Sequence, residues 1–241
     1  MVEVDREITI FVQKTNFSDT PSSTEDTFSL KRQKEKKLCK EQNRNMQNLV
    51  ITRLRGEDIK PYISDLAALR IKVFRDFPYL YVGDLEYEKN YLKTYTNCKE
   101  SVLIIVRDGA DIVGASTAIP LKFEDDEIKK PFMDANIPID NIFYFGESVL
   151  LPQYRRFGMG YRFFHERETV ARLSNYKFIA FCAVERPESH PRRPADWVPL
   201  HSFWERLGYV KHPELVVHLS WKDLDENEAS PKPMGIWMKQ I

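Results

Sequence analysis

The stretch that decides the fold is residues 145–172, FGESVLLPQYRRFGMGYRFFHERETVAR. It opens as an apolar strand, which ends at Pro152 because proline has no N–H to donate to a sheet. The loop Arg155–Gly160 then leads directly into an amphipathic helix. Gly158 and Gly160 have no side chains, so the backbone of this loop can come close to a bound group. The stretch therefore predicts a strand, a short loop and a helix, with accessible backbone at the turn.

The loop Arg155–Gly160 also has the charge of an anion site. The first N–H groups of a helix have no partners inside the helix, and the helix dipole adds partial positive charge at the same end. Arg155 and Arg156 contribute two further positive charges. These features favour a phosphate group as the ligand. The alternative is a strand-to-helix turn that uses its glycines for geometry alone.

The spacing of this loop excludes two known phosphate-binding motifs and resembles a third. No Gly-Lys-Ser/Thr follows, as a nucleotide-hydrolase P-loop requires, and the third glycine of a dinucleotide fingerprint is missing. Residues 155–160 resemble the acyl-CoA signature of GNAT-type N-acetyltransferases, Arg/Gln-x-x-Gly-x-Gly/Ala, preceded here by the strand GESVLLP. Ser202–Tyr209 is similar to the family's Tyr-x-x-x-Gly-Phe helix end, which a strand follows. The resemblance covers about residues 48–241.

The resemblance implies an α/β (α+β) domain with the GNAT fold, in which a mixed central sheet with flanking helices is splayed between two strands. Those strands would be Asn141–Leu151 and Phe178–Val184. It also implies acetyl-CoA as the acyl donor, with its pyrophosphate on the loop N–H groups and its pantetheine arm along the first of these strands. The implied cofactor-binding residues are Val149, Leu151, Arg155, Arg156, Phe157, Gly158, Met159, Gly160 and Trp204.

Glu147 is the candidate general base. It lies in an otherwise apolar strand, close to the position where the family would have the thioester. An acceptor amine that resembles lysine has a pKa of about 10.4, so a carboxylate has to remove a proton from it. A buried carboxylate without a partner is costly, which favours a functional reason for this residue. The alternative is a Glu147 that faces solvent or forms a salt bridge.

The group that would protonate the departing thiolate is not identified by the sequence. The family often has a tyrosine where this chain has Trp204, and tryptophan donates a hydrogen bond but delivers no proton at neutral pH. A thiol has a pKa of about 8.5, so a thiolate that leaves without help is tolerable. His201, Ser202 and Tyr209 lie nearby in the sequence, and none of them stands out.

Two segments are predicted to shape the acceptor site. Phe77–Asp84 is an aromatic loop between two predicted helices, a connection that in the family commonly overhangs the acceptor. Arg186–Trp197, RPESHPRRPADW, is stiffened by three prolines and carries charges that suit a charged substrate. The alternatives are aromatic residues that cover the core and a rigid surface loop.

Other chemistry-bearing residues are expected to be structural. The acidic run Glu124–Glu127 is expected to be solvated, as charge runs usually are. Cys182, in FIAFCAV, is expected to be a core residue, with a Cys–His nucleophile as the less favoured alternative. The five histidines form no His-x-x-x-His pattern, so no metal is predicted.

Composition and charge narrow the class of protein. The chain has 241 residues, of which 42% are hydrophobic, enough for one large domain or two small ones. Its 36 Lys and Arg residues balance 36 Asp and Glu residues, which argues against nucleic acid as the main ligand. No apolar run approaches the roughly 20 residues of a membrane helix, and the N-terminus does not resemble a signal peptide. Three scattered cysteines exclude a disulfide scaffold, so a soluble cytoplasmic protein is expected.

The chain is predicted to divide into an arm and a domain. Residues 1–46 are expected to be a largely flexible arm, with a short strand at Glu7–Val12 and six basic residues in Lys31–Lys40. Residues 47–241 are expected to form the GNAT-type N-acyltransferase domain. Periodicity predicts strands over 49–54, 101–107, 112–119, 141–151, 178–184, 214–221 and 234–239, and helices over 64–77, 84–95, 160–173 and 200–207, with a short helix in the charged segment 124–136.

Three functions compete at this point. The leading hypothesis is an N-acetyltransferase that moves an acetyl group from acetyl-CoA to a small-molecule or peptide amine by direct transfer. The first alternative is a non-catalytic acyl-CoA-binding regulatory module, which the tryptophan at position 204 favours. The second is a nucleic-acid-associated factor that acts through Lys31–Lys40, which the neutral charge of the chain disfavours. A homodimer is left open, and no membrane partner is expected.

Overall fold

The computed structural model describes residues 49–241. The predicted arm over residues 1–46, with its strand at Glu7–Val12 and its basic run Lys31–Lys40, lies outside the described residues. None of the helices within 49–241 is both long enough and apolar enough to cross a membrane.

The described residues form seven strands and five α-helices, in the order that the sequence predicts. The strands are β1 (Leu49–Arg55), β2 (Val102–Asp108), β3 (Asp111–Pro120), β4 (Ile142–Leu150), β5 (Phe178–Val184), β6 (Val210–Trp221) and β7 (Ser230–Gln240). The helices are α1 (Ile63–Phe74), α2 (Leu85–Asn97), α3 (Asp126–Asp134), α4 (Met159–Leu173) and α5 (His201–Arg206).

The predicted boundaries differ from the structure mainly at β6, β7 and α1. β6 begins at Val210 and β7 at Ser230, each four residues before the predicted start, although Pro231 and Pro233 follow in β7. The prolines are tolerated because they precede the part of β7 that pairs with β5, and the Pro233 carbonyl still accepts from the Glu185 N–H at 2.9 Å. α1 ends at Phe74, three residues before its predicted end, and a 3₁₀ helix over Gly56–Tyr62 precedes it.

The sheet is mixed, and it opens between β4 and β5. The strand order is β1-β2-β3-β4-β5-β7-β6, and every pair is antiparallel except β4 with β5. These two parallel strands pair only where Ile142–Tyr144 meets Phe178–Ala180. From Phe145 onward, β4 has no strand partner on that side among the described residues. The expected splayed sheet of the α/β GNAT fold is therefore present.

A β-bulge in β4 lies at the start of this opening. Ser148 pairs with Ser116 and Phe145 pairs with Ala118 on β3, so Gly146 and Glu147 together stand opposite Thr117. Two residues opposite one is the definition of a bulge, and it turns the side chains of the bulged strand. The bulge therefore sets the direction in which the Glu147 side chain points.

Helices cover the sheet through two hydrophobic clusters. α1, α2 and α4 pack on the larger cluster, which includes Val102–Val106 and Phe163. α3 packs on the smaller cluster under the second half of the sheet, through Ile128 and Phe132. Each fully buried side chain of this kind stabilises the fold by about 1.5–3 kcal/mol. The rigid parts of the sheet therefore flank the opening on both sides.

Residues 47–241 without the preceding segment are expected to fold as an independent domain. All seven strands of the described sheet and both clusters lie within this range. Denaturant unfolding of the full chain and of residues 47–241 is expected to give free energies of unfolding that agree within about 0.5 kcal/mol, as for changes remote from a core. A truncated chain that unfolds without cooperativity would contradict this prediction.

Candidate functional site

The loop between β4 and α4 is a tight turn with two residues at positive φ. Gly158 has φ 76°, in the left-handed region that glycine adopts without strain, and it directly precedes the first helical residue. Arg156 has φ 68°, which is uncommon for a residue with a side chain. Within residues 49–241, no atom lies within 4 Å of the position that a Cβ on Gly158 would take. The glycine therefore leaves the surface of this loop open.

The N–H groups of this loop are free of backbone partners. Arg162 is the first residue of α4 whose N–H bonds back along the chain, to the Gly158 carbonyl at 3.1 Å. Among the described residues, the N–H groups of positions 156–161 make no backbone hydrogen bond. Unpaired N–H groups and the positive end of the helix dipole meet here, which is the arrangement that binds phosphate oxygens.

The two arginines of the loop have different surroundings. Arg155 Nε donates to the Leu150 carbonyl at 3.1 Å, and its guanidinium lies 3.8 Å from the Asp76 carboxylate. Arg155 therefore ties the loop to the end of β4 and has part of its charge offset. Arg156 is exposed, and no ion pair is found for it in the described chain. Arg156 is thus the freer of the two positive charges.

The two walls of the opening differ in character. On the β4 side, the Val149 and Leu151 side chains are buried in the larger cluster, so what faces the opening there is the backbone edge of the strand, with the Leu151 N–H itself bonded to the Val113 carbonyl of β3 at 3.0 Å. On the β5 side, Trp204 of α5 lies against Phe181 and Trp237, each with ring centroids 5.1 Å away. Such an opening has one polar backbone wall and one aromatic wall.

Glu147 is buried beside the opening and is joined to Arg70. Its side chain is 4% exposed, and Oε2 forms an ion pair with Arg70 Nη1, while Oε1 has no hydrogen-bond partner among the described residues. Arg70 also pairs with the buried Glu88. Burial alone would lower the Arg70 pKa, but the charges of Glu147 and Glu88 outweigh it and hold that pKa well above its ordinary value. Arg70 therefore stays charged between two carboxylates.

Arg167 supports the bulge from beneath and was not predicted. It is 1% exposed, and it donates to the Thr117 and Glu147 carbonyls at 3.1 Å each and to Ser148 Oγ at 2.8 Å. Burial lowers the Arg167 pKa to about 10, so the side chain is charged at neutral pH. A signal exists in the sequence, since Arg167 lies four residues after Phe163 on the apolar face of α4.

The prediction that the acidic run 124–127 is solvated is wrong at Glu124. Asp125, Asp126 and Glu127 are exposed, but Glu124 is 2% exposed. Its Oε1 accepts a hydrogen bond from the Tyr95 hydroxyl at 2.7 Å. Burial raises the pKa of Glu124 to about 7, despite this hydrogen bond. The cause is the fold, because the chain turns inward between β3 and α3.

The two predicted acceptor-site segments contact each other. Phe77 lies edge-on to Trp197 at 5.0 Å and near His190 at 5.5 Å between ring centroids. The buried Arg186 donates to the Pro78 carbonyl at 2.8 Å and pairs with Asp223 at 2.7 Å. The segments Phe77–Asp84 and Arg186–Trp197 therefore pack together into one continuous surface.

Cys182 is a poor nucleophile in this structure. Its Sγ lies 2.9 Å from the Tyr144 hydroxyl. Burial raises the pKa of the Cys182 thiol to about 12, so almost no thiolate is present at neutral pH. The thiol therefore behaves as the core residue that the sequence predicts. Within residues 49–241, no group of three or more His, Cys, Asp or Glu side chains could hold a metal ion.

Comparison with known proteins identifies the fold. No protein-family model and no curated protein matches the sequence. A ribosomal-protein-alanine N-acetyltransferase from Brucella melitensis matches with a TM-score of 0.52 and 12% identity, over 80% of this chain and 99% of that one. An N-acetyltransferase from Staphylococcus aureus Mu50 matches with a TM-score of 0.51 and 8% identity, over 80% and 98%. A GNAT-family acetyltransferase from Streptococcus pneumoniae matches with a TM-score of 0.50 and 14% identity, over 80% and 99%. The chain therefore has the GNAT fold.

Replacement of Arg167 by methionine is expected to destabilise the domain by about 2–4 kcal/mol. The change leaves buried acceptors on β3 and β4 unpaired, at about 1–3 kcal/mol each, while relief from burying a charge offsets part of the loss. Arg172→Met, on an exposed position of the same helix, is the matched control and is expected to cost less than about 0.5 kcal/mol. Equal denaturant midpoints for the two variants would show that Arg167 does not support the bulge.

Proposed function

We propose that this protein is an N-acetyltransferase that moves an acetyl group from acetyl-CoA to an amine by direct transfer. The observation that carries the proposal is the continuity of three features. The free N–H groups of residues 156–161 adjoin the unpaired side of β4 over residues 145–150, and the buried Glu147 lies at the inner end of that strand segment. A phosphate-binding turn, a backbone edge and a carboxylate therefore follow one another along a single opening.

The donor would be held mostly by main-chain groups. The N–H groups of Arg156 through Gly160 suit the pyrophosphate oxygens, and the exposed Arg156 adds positive charge. The unpaired edge of β4 around Val149 and Leu151 would pair with the amide groups of the pantetheine arm, as an added strand would, while the Leu151 N–H itself donates to the Val113 carbonyl of β3 at 3.0 Å. Trp204 offers an aromatic face on the opposite wall. Phe157 and Met159 are half-buried within the turn and complete the proposed cofactor-binding set.

The proton chemistry would centre on Glu147. An acceptor ammonium has to lose a proton before its nitrogen lone pair can attack the thioester carbonyl. Glu147 Oε1 is buried and has no hydrogen-bond partner in the described part of the chain, so it is free to accept that proton. Attack forms the C–N bond, and collapse of the tetrahedral intermediate breaks the C–S bond. The CoA sulfur leaves as a thiolate, which its pKa of about 8.5 permits without a tyrosine at position 204.

Charge at the acceptor side favours a cationic amine. Glu88, Arg70 and Glu147 together carry one net negative charge in a buried site. Phe77, His190 and Trp197 form an aromatic wall that selects no particular group on the rest of the acceptor. The class proposed is therefore a small-molecule or peptide amine. The N-acetyltransferase names of the two structural neighbours quoted first support amine acetylation in general.

A non-catalytic acyl-CoA-binding module is the second candidate. The observation that favours it is Trp204, which cannot act as a proton donor to the thiolate. Turnover separates the two candidates, because a binding module would take up acetyl-CoA without releasing free thiol in the presence of any amine.

CoA and acetyl-CoA are expected to bind, whereas NAD and ATP are not. Gly158→Leu is expected to abolish CoA binding, because a side chain there would cover the free N–H groups of the loop. Gly109→Leu is the matched control, since Gly109 also has positive φ and open space around its Cβ position, but lies in the β2–β3 hairpin. Both variants carry similar backbone strain, of order 1–3 kcal/mol. Calorimetry that detects no CoA binding to the folded wild-type protein would overturn the proposed function.

Glu147→Gln is expected to lower turnover by about 10²–10⁴-fold, the usual contribution of a general base, with CoA affinity nearly unchanged. The assay is a screen of amine acceptors with acetyl-CoA, read as free thiol. The loss is expected to shrink at high pH, where more of the amine is already neutral. Glu88→Gln removes a carboxylate from the same arginine and is the control, with a much smaller loss expected. A stable Glu147→Gln protein with normal turnover would remove Glu147 from the mechanism.

A further inference from the structure

We propose that Tyr91, Tyr95 and Glu124 form a proton relay that carries one proton from the acceptor amine to Glu124. This inference rests on the proposed function, because it concerns the protons that amide formation releases. An ammonium loses two protons in becoming a secondary amide, and in the proposed reaction the CoA sulfur leaves as a thiolate that takes up neither of them. Glu147 can hold one proton at a time, so a second acceptor is needed within the site or in solvent.

The three side chains form a continuous hydrogen-bonded chain. The Tyr91 and Tyr95 hydroxyl oxygens are 3.1 Å apart, and the Tyr95 hydroxyl donates to Glu124 Oε1 at 2.7 Å. Since the Tyr95 proton is committed to Glu124, the Tyr95 oxygen accepts from Tyr91. The Tyr91 oxygen then keeps a lone pair for an outside donor. The chain therefore has one direction, which leads to the carboxylate.

The chain begins next to the residues assigned to the acceptor. The Arg70 guanidinium carbon, whose group pairs with Glu147, lies 4.7 Å from the centre of the Tyr91 ring. A Cβ on Gly146 would lie 2.1 Å from the Tyr95 oxygen, so the hydroxyl touches the backbone of the bulge itself. Only glycine at position 146 permits this approach. The start of the chain therefore lies beside the arginine that pairs with Glu147, and its middle member contacts β4 at the residue before Glu147.

Glu124 has the surroundings of a proton acceptor that works near neutral pH. Among the described residues it accepts hydrogen bonds only from Tyr95 and from the Asp125 N–H at 3.4 Å, and no cation pairs with it. Burial therefore acts unopposed by a positive charge and raises the pKa of Glu124 to about 7. The titratable groups that face Glu124 come from three elements and from the next residue in the chain. They are Tyr91 and Tyr95 on α2, Tyr144 and Glu147 on β4, Cys182 on β5, and the adjacent Asp125.

The proposed step is balanced. An N–H proton of the amine moves to the Tyr91 oxygen as the Tyr91 proton moves to Tyr95 and the Tyr95 proton moves to Glu124 Oε1. The nitrogen gains a free lone pair, both tyrosines end neutral, and Glu124 becomes a carboxylic acid. Its neighbour Asp125 is exposed, so the proton has a short way to solvent. No oxidant, metal or additional reactant takes part.

The test measures pH–rate profiles of the full chain, with acetyl-CoA and an acceptor from the thiol-release screen. The relay works only when Glu124 is ionised, so the wild-type rate is expected to rise through about pH 7. Glu124→Gln is expected to lose this limb and about 10²-fold in rate at pH 7.5, the lower end for a general base. Tyr95→Phe is expected to lose a similar factor, and the double variant no more than either alone, as for residues that act as a unit. Asp126→Asn, at an exposed position whose charge is not among those that shift the Glu124 pKa, is the control, with an unchanged profile.

A second measurement tests the titration of Glu124 without turnover. The folded protein holds a proton on Glu124 up to about pH 7, whereas the unfolded chain loses it near 4.5. The folded state therefore binds more protons between these values, and wild-type stability is expected to fall relative to Glu124→Gln as pH rises from 4.5 to 7. Thermal midpoints of the two proteins across this range give the difference.

The outcomes separate this inference from the proposed function. The relay is supported if the wild-type rate rises through about pH 7 and this rise is missing only in Glu124→Gln and Tyr95→Phe. Wild-type turnover with identical profiles in all variants overturns the relay and leaves the acetyltransferase standing. A difference in thermal midpoint that does not change with pH also overturns the relay, because the pKa of Glu124 would then be that of an exposed carboxylate, too low for it to hold the amine's proton near neutral pH. A protein that binds acetyl-CoA but acetylates no amine overturns both.

Discussion

The parting of β4 from β5 is the constraint on which the rest of the structure depends. A parallel pair that stops after three residue pairs leaves the edge of β4 over residues 145–150 without a strand partner, so the backbone groups that face this side need other partners. An extended ligand with amide groups can supply them. On the other side, Trp204 of α5 packs against Phe181 and Trp237, which holds this helix against β5 and β7. The opening is thus built by packing on both walls.

The bulge in β4 converts this opening into a site with chemistry. In a regular strand, successive side chains alternate between the two faces of the sheet, and no backbone carbonyl is turned toward a buried arginine. The bulge instead presents the Glu147 side chain to Arg70 and its carbonyl to Arg167. One arginine pairs with a carboxylate and the other with backbone oxygens. The same two residues of β4 therefore set both the acid–base groups and the geometry of the strand.

The sequence predicted what depends on local pattern and missed what depends on contacts between distant segments. The loop Arg155–Gly160 and its helix were predictable, because proline, glycine and apolar periodicity act within a few residues. Glu124 and Arg167 were missed, because a charged residue in a charged segment or helix normally faces water, and the position of Arg167 on the apolar face of α4 was the one signal against that expectation. Their burial follows from partners at positions 95 and 117, far away in the chain. The identity of the acceptor belongs to this second kind of information.

The balance of buried charge explains why these long-range contacts matter for function. Glu88 and Glu147 share the single charge of Arg70, while Glu124 pairs with no cation of residues 49–241, and its burial raises its pKa to about 7. Arg167 donates its hydrogen bonds to carbonyls and a hydroxyl, so among the described residues it does not pair directly with a carboxylate. The region around Glu147 therefore stays negative when Arg70 is fully charged. A cationic amine that enters it offsets this negative charge, and the carboxylates Glu147 and Glu124 are also the groups that receive its protons. Binding of the acceptor and removal of its protons are thus driven by the same excess of carboxylate.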